Sequence, residues 1–195
     1  MYLYGASGHA KVIIEILEKL GKEVTGLFDD NPEIKQLMGY QVFGTYVSSK
    51  HFVDQLIISI GDNELRKKLS ELHSFNYGQA IHPSTFISPR ALLGEGTVVM
   101  ANATINTGTR IGVHVIINTA ASIDHDCIVG DFVHISPNAT LCGGVHIGDG
   151  THIGAATVII PGIKIGKWAT IGAGSVIIRD VQDGAKIVGN PGHLM

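Results

Sequence analysis

From Ile81 onward the chain places an aliphatic residue at every sixth position, through Ile87, Leu93, Val99, Ile105 and Ile111 and on to Ile177, without an exception. Four residues after each aliphatic position comes a small or β-branched residue or a cysteine, as at Thr85, Ala91, Thr97, Ala103, Thr109, Val115, Ala121, Cys127 and Val133. A period of six is a multiple of the strand repeat of two and not of the helical 3.6, so the pattern predicts short extended sides with two inward columns. An antiparallel sandwich is the alternative architecture, but hairpins do not keep one register over so long a stretch.

A slower rhythm runs through the same segment. Gly94, Gly112, Gly130, Gly148 and Gly166 recur every 18 residues, each directly after an aliphatic position. Three hexads therefore complete one triangular turn, and residues 18 apart become vertical neighbours in coils stacked about 4.8 Å apart. The expected fold over 79–182 is an all-β parallel β-helix whose recurring glycines serve one corner with a backbone state that glycine reaches at low cost.

The preceding residues change period. Residues 2–4 predict a strand and run into Gly5-Ala6-Ser7-Gly8-His9-Ala10-Lys11; Val12, Ile13, Ile16, Leu17 and Leu20 follow at helical spacing, with Gly21 as the stop. Residues 24–28 predict a second strand ending at Asp29-Asp30, residues 55–60 a third ending at Gly61-Asp62-Asn63, and residues 64–72 a helix. This is a Rossmann-like α/β unit over 1–78. Its G-x-x-G turn lacks the first glycine pair of a dinucleotide fingerprint, which favours a smaller nucleotide over NAD. Backbone amides at the helix start would cradle a diphosphate, with Asp29 or Asp30 accepting from ribose or base. The same glycines also suit a purely structural need, close packing of strand on helix.

Composition narrows the partners. The chain has 195 residues, 45% hydrophobic and 6% aromatic, with a formal charge of −3 and no basic block, so small molecules are expected as ligands rather than nucleic acid or anionic membrane. No apolar run reaches the roughly 20 residues of a membrane span, and the start lacks a signal-peptide pattern, so a cytoplasmic location is expected. Cys127 and Cys142 are too few for a disulfide framework and lack zinc spacing; they are expected to be free thiols, and no metal is expected.

One stretch carries candidate chemistry, Asp124-His125-Asp126. In the stacked register His125 follows Thr107 and precedes Gly143, whose uncovered N–H would lie beside the imidazole. Imidazole titrates near neutrality and suits removal of a proton from an attacking amine or hydroxyl; Asp126, or alternatively Asp124, would fix its tautomer if the chain bends there. The competing reading is that these residues decorate a solvated corner, and His51, His73, His82, His114, His146 and His152 are read that way. Cys127 falls in an interior column and Cys142 lacks an activating cation, so neither is a good nucleophile.

Taken together, Gly5-Ala6-Ser7-Gly8-His9, Asp29-Asp30, Gly61-Asp62-Asn63-Glu64-Leu65-Arg66 and the hexads resemble the hexapeptide-repeat nucleotide-sugar N-acetyltransferases that act on UDP-4-amino-4,6-dideoxy sugars, with the related sialic acid O-acetyltransferases. That resemblance implies left-handed winding, a homotrimer, and acetyl-CoA bound between subunits as co-substrate. It assigns His125 as the base and Asp126 as its acid, where many relatives have glutamate, with Asn118 and His134 lining the site and the Gly143 amide meeting the thioester carbonyl. It implies that Gly8, His9, Asp29, Asp30, Asn63 and Arg66 contact the UDP-sugar. Coenzyme A would lie along Gly143, Ala155, Ala173 and Pro191, the last in a tail over 183–195. His134 lies one and a half triangular sides after His125, so one active site lined by both would fall between subunits. Alternatives are O-acetylation of a sugar, N-acetylation of a GDP-linked amino sugar, a γ-type carbonic anhydrase on the same solenoid, and a non-catalytic nucleotide-sugar sensor or scaffold.

Overall fold

The computed structural model describes residues 1–47 and 53–195; His51 lies outside the described residues. The first unit has strand β1 (Tyr2–Tyr4), helix α1 (Gly8–Lys19), strand β2 (Gly26–Phe28), a hairpin of β3 (Gln36–Leu37) and β4 (Tyr40–Gln41), strand β5 (Leu56–Ile58) and helix α2 (Asn63–Leu72). β1 lies between β2 and β5, all parallel. α1 buries Ala10, Ile13, Ile14, Ile16 and Leu17 at helical spacing and ends at Gly21, whose φ of 64° is left-handed. β1 has the expected bounds, β2 and β5 are shorter than their apolar runs suggest, and α2 starts earlier than expected because the Asp62 carboxylate caps the Leu65 N–H at 2.8 Å. The hairpin was not anticipated.

Beyond residue 79 the chain coils around three flat faces. The first begins at Ala80–Ile81 and repeats through Val98–Val99, Ile116–Ile117, His134–Ile135, His152–Ile153 and Thr170–Ile171; the second and third begin at Phe86–Ile87 and Leu92–Leu93. Pairing is parallel with an 18-residue step, as in Ile117↔Ile135 and Ile135↔Ile153. The inward aliphatic column and the small-residue column form one core, including Ile105, Ile123, Cys127, Ile135 and Leu141, each fully buried. Buried threonines satisfy the corners between coils: Thr109 Oγ1 donates to the Asp124 carbonyl at 2.7 Å and accepts from the Cys127 N–H at 3.2 Å.

The corners use the left-handed backbone region in a different column from the one the glycine rhythm suggested. Every sixth residue from Gly96 to Gly174 has positive φ, including His114 (52°), Ala120 (55°), Asp126 (58°) and Trp168 (55°). Gly94, Gly112, Gly130, Gly148 and Gly166 stand outside that set. Their requirement is space: a Cβ at Gly148 would lie 2.6 Å from the Lys167 nitrogen of the next coil. Close coil-to-coil approach, rather than an unusual φ, explains that column.

The first unit covers the base of the first face. Ala80, Val98, Met100 and Ile116 share a buried cluster with Leu3, Ile13, Ile14 and Leu17. One coil above Ile116 the outward position becomes His134, and one coil above that, His152. Apolar docking thus gives way to a polar cleft between the loop after β5, the start of α2 and the first face. Among the described residues no helix is long and apolar enough to cross a membrane.

Candidate active site

His125 occupies the corner between the second and third faces. The bend is made by Asp126, whose φ of 58° turns consecutive side chains toward each other, so that His125 Nδ1 meets Asp126 Oδ2 at 2.8 Å. Asp124 plays a separate part: its Oδ1 accepts the His125 backbone N–H at 2.8 Å and the Asn106 side-chain amide at 3.0 Å, while its Oδ2 stands 4.0 Å from His125 Nε2. Asn106 escaped the sequence reading although it lies 18 residues before Asp124, where the vertical-neighbour rule points.

The imidazole is open to solvent, with 56% of its side chain exposed. The hydrogen bond to Asp126 and the Asp124 charge raise its pKa above the usual histidine value. Its ring lies against Gly143: a Cβ there would be 2.6 Å from Nε2. Among the described residues the Gly143 N–H has no acceptor, whereas its neighbour Gly144 donates to the His125 carbonyl at 2.9 Å. A basic nitrogen and a vacant backbone donor therefore share one corner, beside a cavity of about 320 Å³ lined by Phe86, Ser88, Asn106, Thr107, Asp124 and His125.

The first face holds a second cluster. Asn118 Oδ1 accepts from the Thr119 N–H at 2.8 Å, which turns the amide nitrogen toward His134 Nε2 at 3.1 Å. His134 stacks on His152 with centroids 4.9 Å apart, and Ser136 Oγ lies 2.8 Å from His152 Nε2. Burial, then the neighbouring His152, Arg66 and His9, push the His134 pKa down to about 3, with the Gly61 backbone nearby acting in the opposite direction. With Nε2 facing the Asn118 amide and its pKa lowered by burial, His134 is a neutral, oriented group at neutral pH.

In the loop after β1, Gly5 has a φ of 110° and a Cβ there would be 2.7 Å from Ile60. Ser7 precedes α1 without a side-chain cap, and a Cβ at Gly8 would meet nothing within 4 Å, so the first amides of α1 face open space. Asp29 shapes this loop, accepting the Ala6 N–H at 2.7 Å and the Asn31 N–H at 2.9 Å, while Asp30 accepts from the Tyr4 hydroxyl at 3.0 Å. His9 Nε2 is buried without a partner among the described residues, and burial followed by Arg66 lowers its pKa to about 4.

Two of the residues expected to contact the nucleotide-sugar join the two units, and the expectation for His114 needs correction. Arg66 is 1% exposed and all of its donors are engaged within the protein, which leaves none for a ligand. Asn63 bridges the two units, its amide donating to the Gly150 carbonyl at 3.0 Å, and it also lines a cleft with Gly61, Asp62 and His152. His114 does not decorate a solvated corner: it is 3% exposed, stacked on Phe132 at 5.3 Å and met edge-on by Tyr77 at 4.4 Å, and burial lowers its pKa to about 4.

The four positions assigned to coenzyme A surround the second face. Ala155 and Ala173 are vertical neighbours on its corner with the first face, and Gly143 lies on its corner with the third. Pro191 belongs to the tail, which folds back so that Gly192 donates to the Val176 carbonyl at 2.8 Å. Both cysteines are free, with Cys127 buried.

A nucleotide-type α/β unit docked on a hexapeptide β-helix with a histidine–carboxylate corner defines a class, the two-part hexapeptide transferases. Residues 1–72 match the PglD N-terminal domain, and residues 126–160 and 144–179 match the bacterial transferase hexapeptide (six repeats). The full chain superposes with a TM-score of 0.96 and 38% identity on a variant of perosamine N-acetyltransferase from Caulobacter crescentus in complex with CoA and GDP-perosamine, covering 100% of this chain and 95% of that one. It is 29% identical over 152 residues to GDP-perosamine N-acetyltransferase of Escherichia coli O157:H7 (72% of this chain, 69% of the relative). It is 37% identical over 112 residues to UDP-N-acetylbacillosamine N-acetyltransferase of Bacillus subtilis strain 168 (51% of this chain, 50% of the relative). Across the curated relatives it matches, the chain spans from 23% to 69% of their length. The chain belongs to the family of hexapeptide-repeat sugar N-acetyltransferases, and its solenoid is the left-handed β-helix of that family.

Proposed function

We propose that this protein transfers the acetyl group of acetyl-CoA to the C4 amine of a nucleoside-diphosphate-linked 4-amino-4,6-dideoxy sugar, with His125 as general base. The observation that carries the reading is the second-to-third corner, where an imidazole held by Asp126 and a vacant Gly143 N–H lie side by side. Neutral His125 Nε2 takes a proton as the amine nitrogen bonds to the thioester carbon. The carbonyl π pair moves onto oxygen, where the Gly143 N–H meets the developing charge; removing such a donor typically costs ~2.7–4 kcal/mol in barrier. Collapse breaks the C–S bond, and the departing thiolate takes the proton from imidazolium. No covalent acetyl-enzyme intervenes. Cys127 is buried, its thiol is raised by burial, and its Sγ points at the Cys142 and His125 carbonyls.

Within one coil the His125 corner lies opposite the first face, which carries His134 and Asn118. A site containing all three takes the second cluster from another copy, which supports a homotrimer with active sites between subunits; sedimentation equilibrium returning a monomer would overturn that assembly. The amides at the start of α1 suit a diphosphate, which UDP- and GDP-linked sugars share. The residue motifs favour the UDP-linked sugar, and the full-length likeness to the Caulobacter protein favours the GDP-linked one. Free-thiol release from acetyl-CoA with UDP-amino, GDP-amino and hydroxyl sugars decides between them. Release with hydroxyl sugars alone would replace N- by O-acetylation, and release with none would sink the reading.

A further inference from the structure

The corner between the third and first faces carries a column of left-handed residues, His114, Phe132 and Gly150, spaced one coil apart. In this geometry the N–H of each donates to the coil below, to Glu95, Val113 and Asp131 respectively, but among the described residues no inter-coil bond uses their carbonyls. Three carbonyl oxygens are thus left pointing out of the solenoid at successive heights. α2 satisfies all three. Arg66 Nε donates to His114 O at 2.8 Å, Arg66 Nη2 to Phe132 O at 2.8 Å, and Asn63 Nδ2 to Gly150 O at 3.0 Å.

The same two side chains grip their own loop. Arg66 Nη1 donates to the carbonyls of Ile60 at 3.0 Å, Gly61 at 3.2 Å and Asp62 at 3.4 Å, and Nη2 also donates to Asn63 Oδ1 at 2.7 Å, which aims the Asn63 amide at the solenoid. Among the described residues no carboxylate forms an ion pair with this buried guanidinium; backbone carbonyls and the Asn63 amide oxygen surround it. Burial lowers its pKa to about 10, so it stays cationic at neutral pH. The Gly61 carbonyl it holds belongs to the loop that lines one cleft with His152, on which His134 stacks, and His134 Nε2 faces Asn118.

We propose that Arg66 and Asn63 are positioning residues that lock the height and angle of the nucleotide-binding unit against three coils of the solenoid, and so set His134 and Asn118, rather than nucleotide contacts. The proposal rests on the acetyl-transfer reading only for its kinetic readout. Arg66 suits the task because its planar fork reaches carbonyls of two coils and one loop at once, which a lysine cannot do.

The test compares Arg66→Lys, Arg66→Met and Asn63→Ala with the unaltered protein in three measurements: affinity for UDP and GDP by calorimetry, kcat and KM, and hydrogen exchange of residues 60–66. Positioning predicts nucleotide affinity within about 2-fold, loss of exchange protection in the loop, and a kcat lower by about 100-fold, the scale of a 1 Å misplacement. Asn63→Ala should give the same pattern in milder form, and it answers the question if both Arg66 variants fail to fold. Nucleotide affinity falling 10-fold or more with loop protection intact would overturn the proposal in favour of direct contact. A lower melting temperature with unchanged kcat and KM would also overturn it, by reducing the pair to scaffolding. Absence of acetyl transfer by the unaltered protein would instead count against the functional reading, and the affinity and exchange measurements would still decide this one.

Discussion

Replacing Gly143 with alanine puts one methyl group where the His125 ring now lies. The added Cβ would stand 2.6 Å from Nε2, 2.7 Å from Cε1 and 3.3 Å from Cδ2. Ordinary contact between such atoms is about 3.5–4.0 Å, so the ring has to withdraw by about 1 Å. The backbone at 143 lies outside the left-handed region, and alanine adopts it without strain. The side chain that must move is exposed at the surface, which confines the damage to the imidazole. A displacement of about 1 Å in a catalytic group costs on the order of 100-fold in rate. Initial rates of thiol release should therefore show kcat/KM reduced by about 100-fold, with the melting temperature nearly unchanged. In a His125→Ala background the same substitution should cost almost nothing, because the group it displaces is gone. A Gly143→Ala enzyme within about 3-fold of the parent would refute the proposed placing of base and backbone donor on one corner.

Asp126→Asn removes the main influence that raises the His125 pKa. A base is lost as pH falls through its pKa, so lowering that pKa should move the acid limb of the kcat/KM profile to lower pH; an unmoved limb would assign the orienting role elsewhere. His114, neutral in the fold with a pKa of about 4 against an ordinary 6.5, makes the unfolded chain the better proton binder below neutrality. Stability should fall as pH drops from 6.5 toward 4, by about 2–3 kcal/mol for this group, and His114→Phe, repeating the Phe132 ring one coil above, should flatten that slope in denaturant titrations. Gly148→Ala, with its Cβ 2.6 Å from the Lys167 nitrogen, should destabilise by about 1–3 kcal/mol. Ala120→Gly, at a φ of 55°, should instead stabilise by about 0.5–1 kcal/mol; equal responses of the two variants would contradict the separation of the tight column from the left-handed column.

The sequence by itself determined the solenoid. Side-chain burial in a coil of three equal sides is set by position modulo six, so the column from Ile81 to Ile177 already encodes the faces, the vertical step of 18 and the meeting of His125 with Gly143. It determined the α/β unit as well, because the change from period six to helical spacing is local information. Only the tertiary structure decided what happens where the two units meet. Neither the bridging by Arg66 and Asn63 nor the burial of His114 is legible in the sequence, because nothing local records that left-handed corners leave carbonyls unpaired and that a helix 48 to 87 residues earlier satisfies them. The bend that the Asp126 role required was only a condition in the sequence: adjacent residues on a strand point apart, and the φ of 58° at Asp126 is what brings a histidine and the next carboxylate within hydrogen-bonding distance.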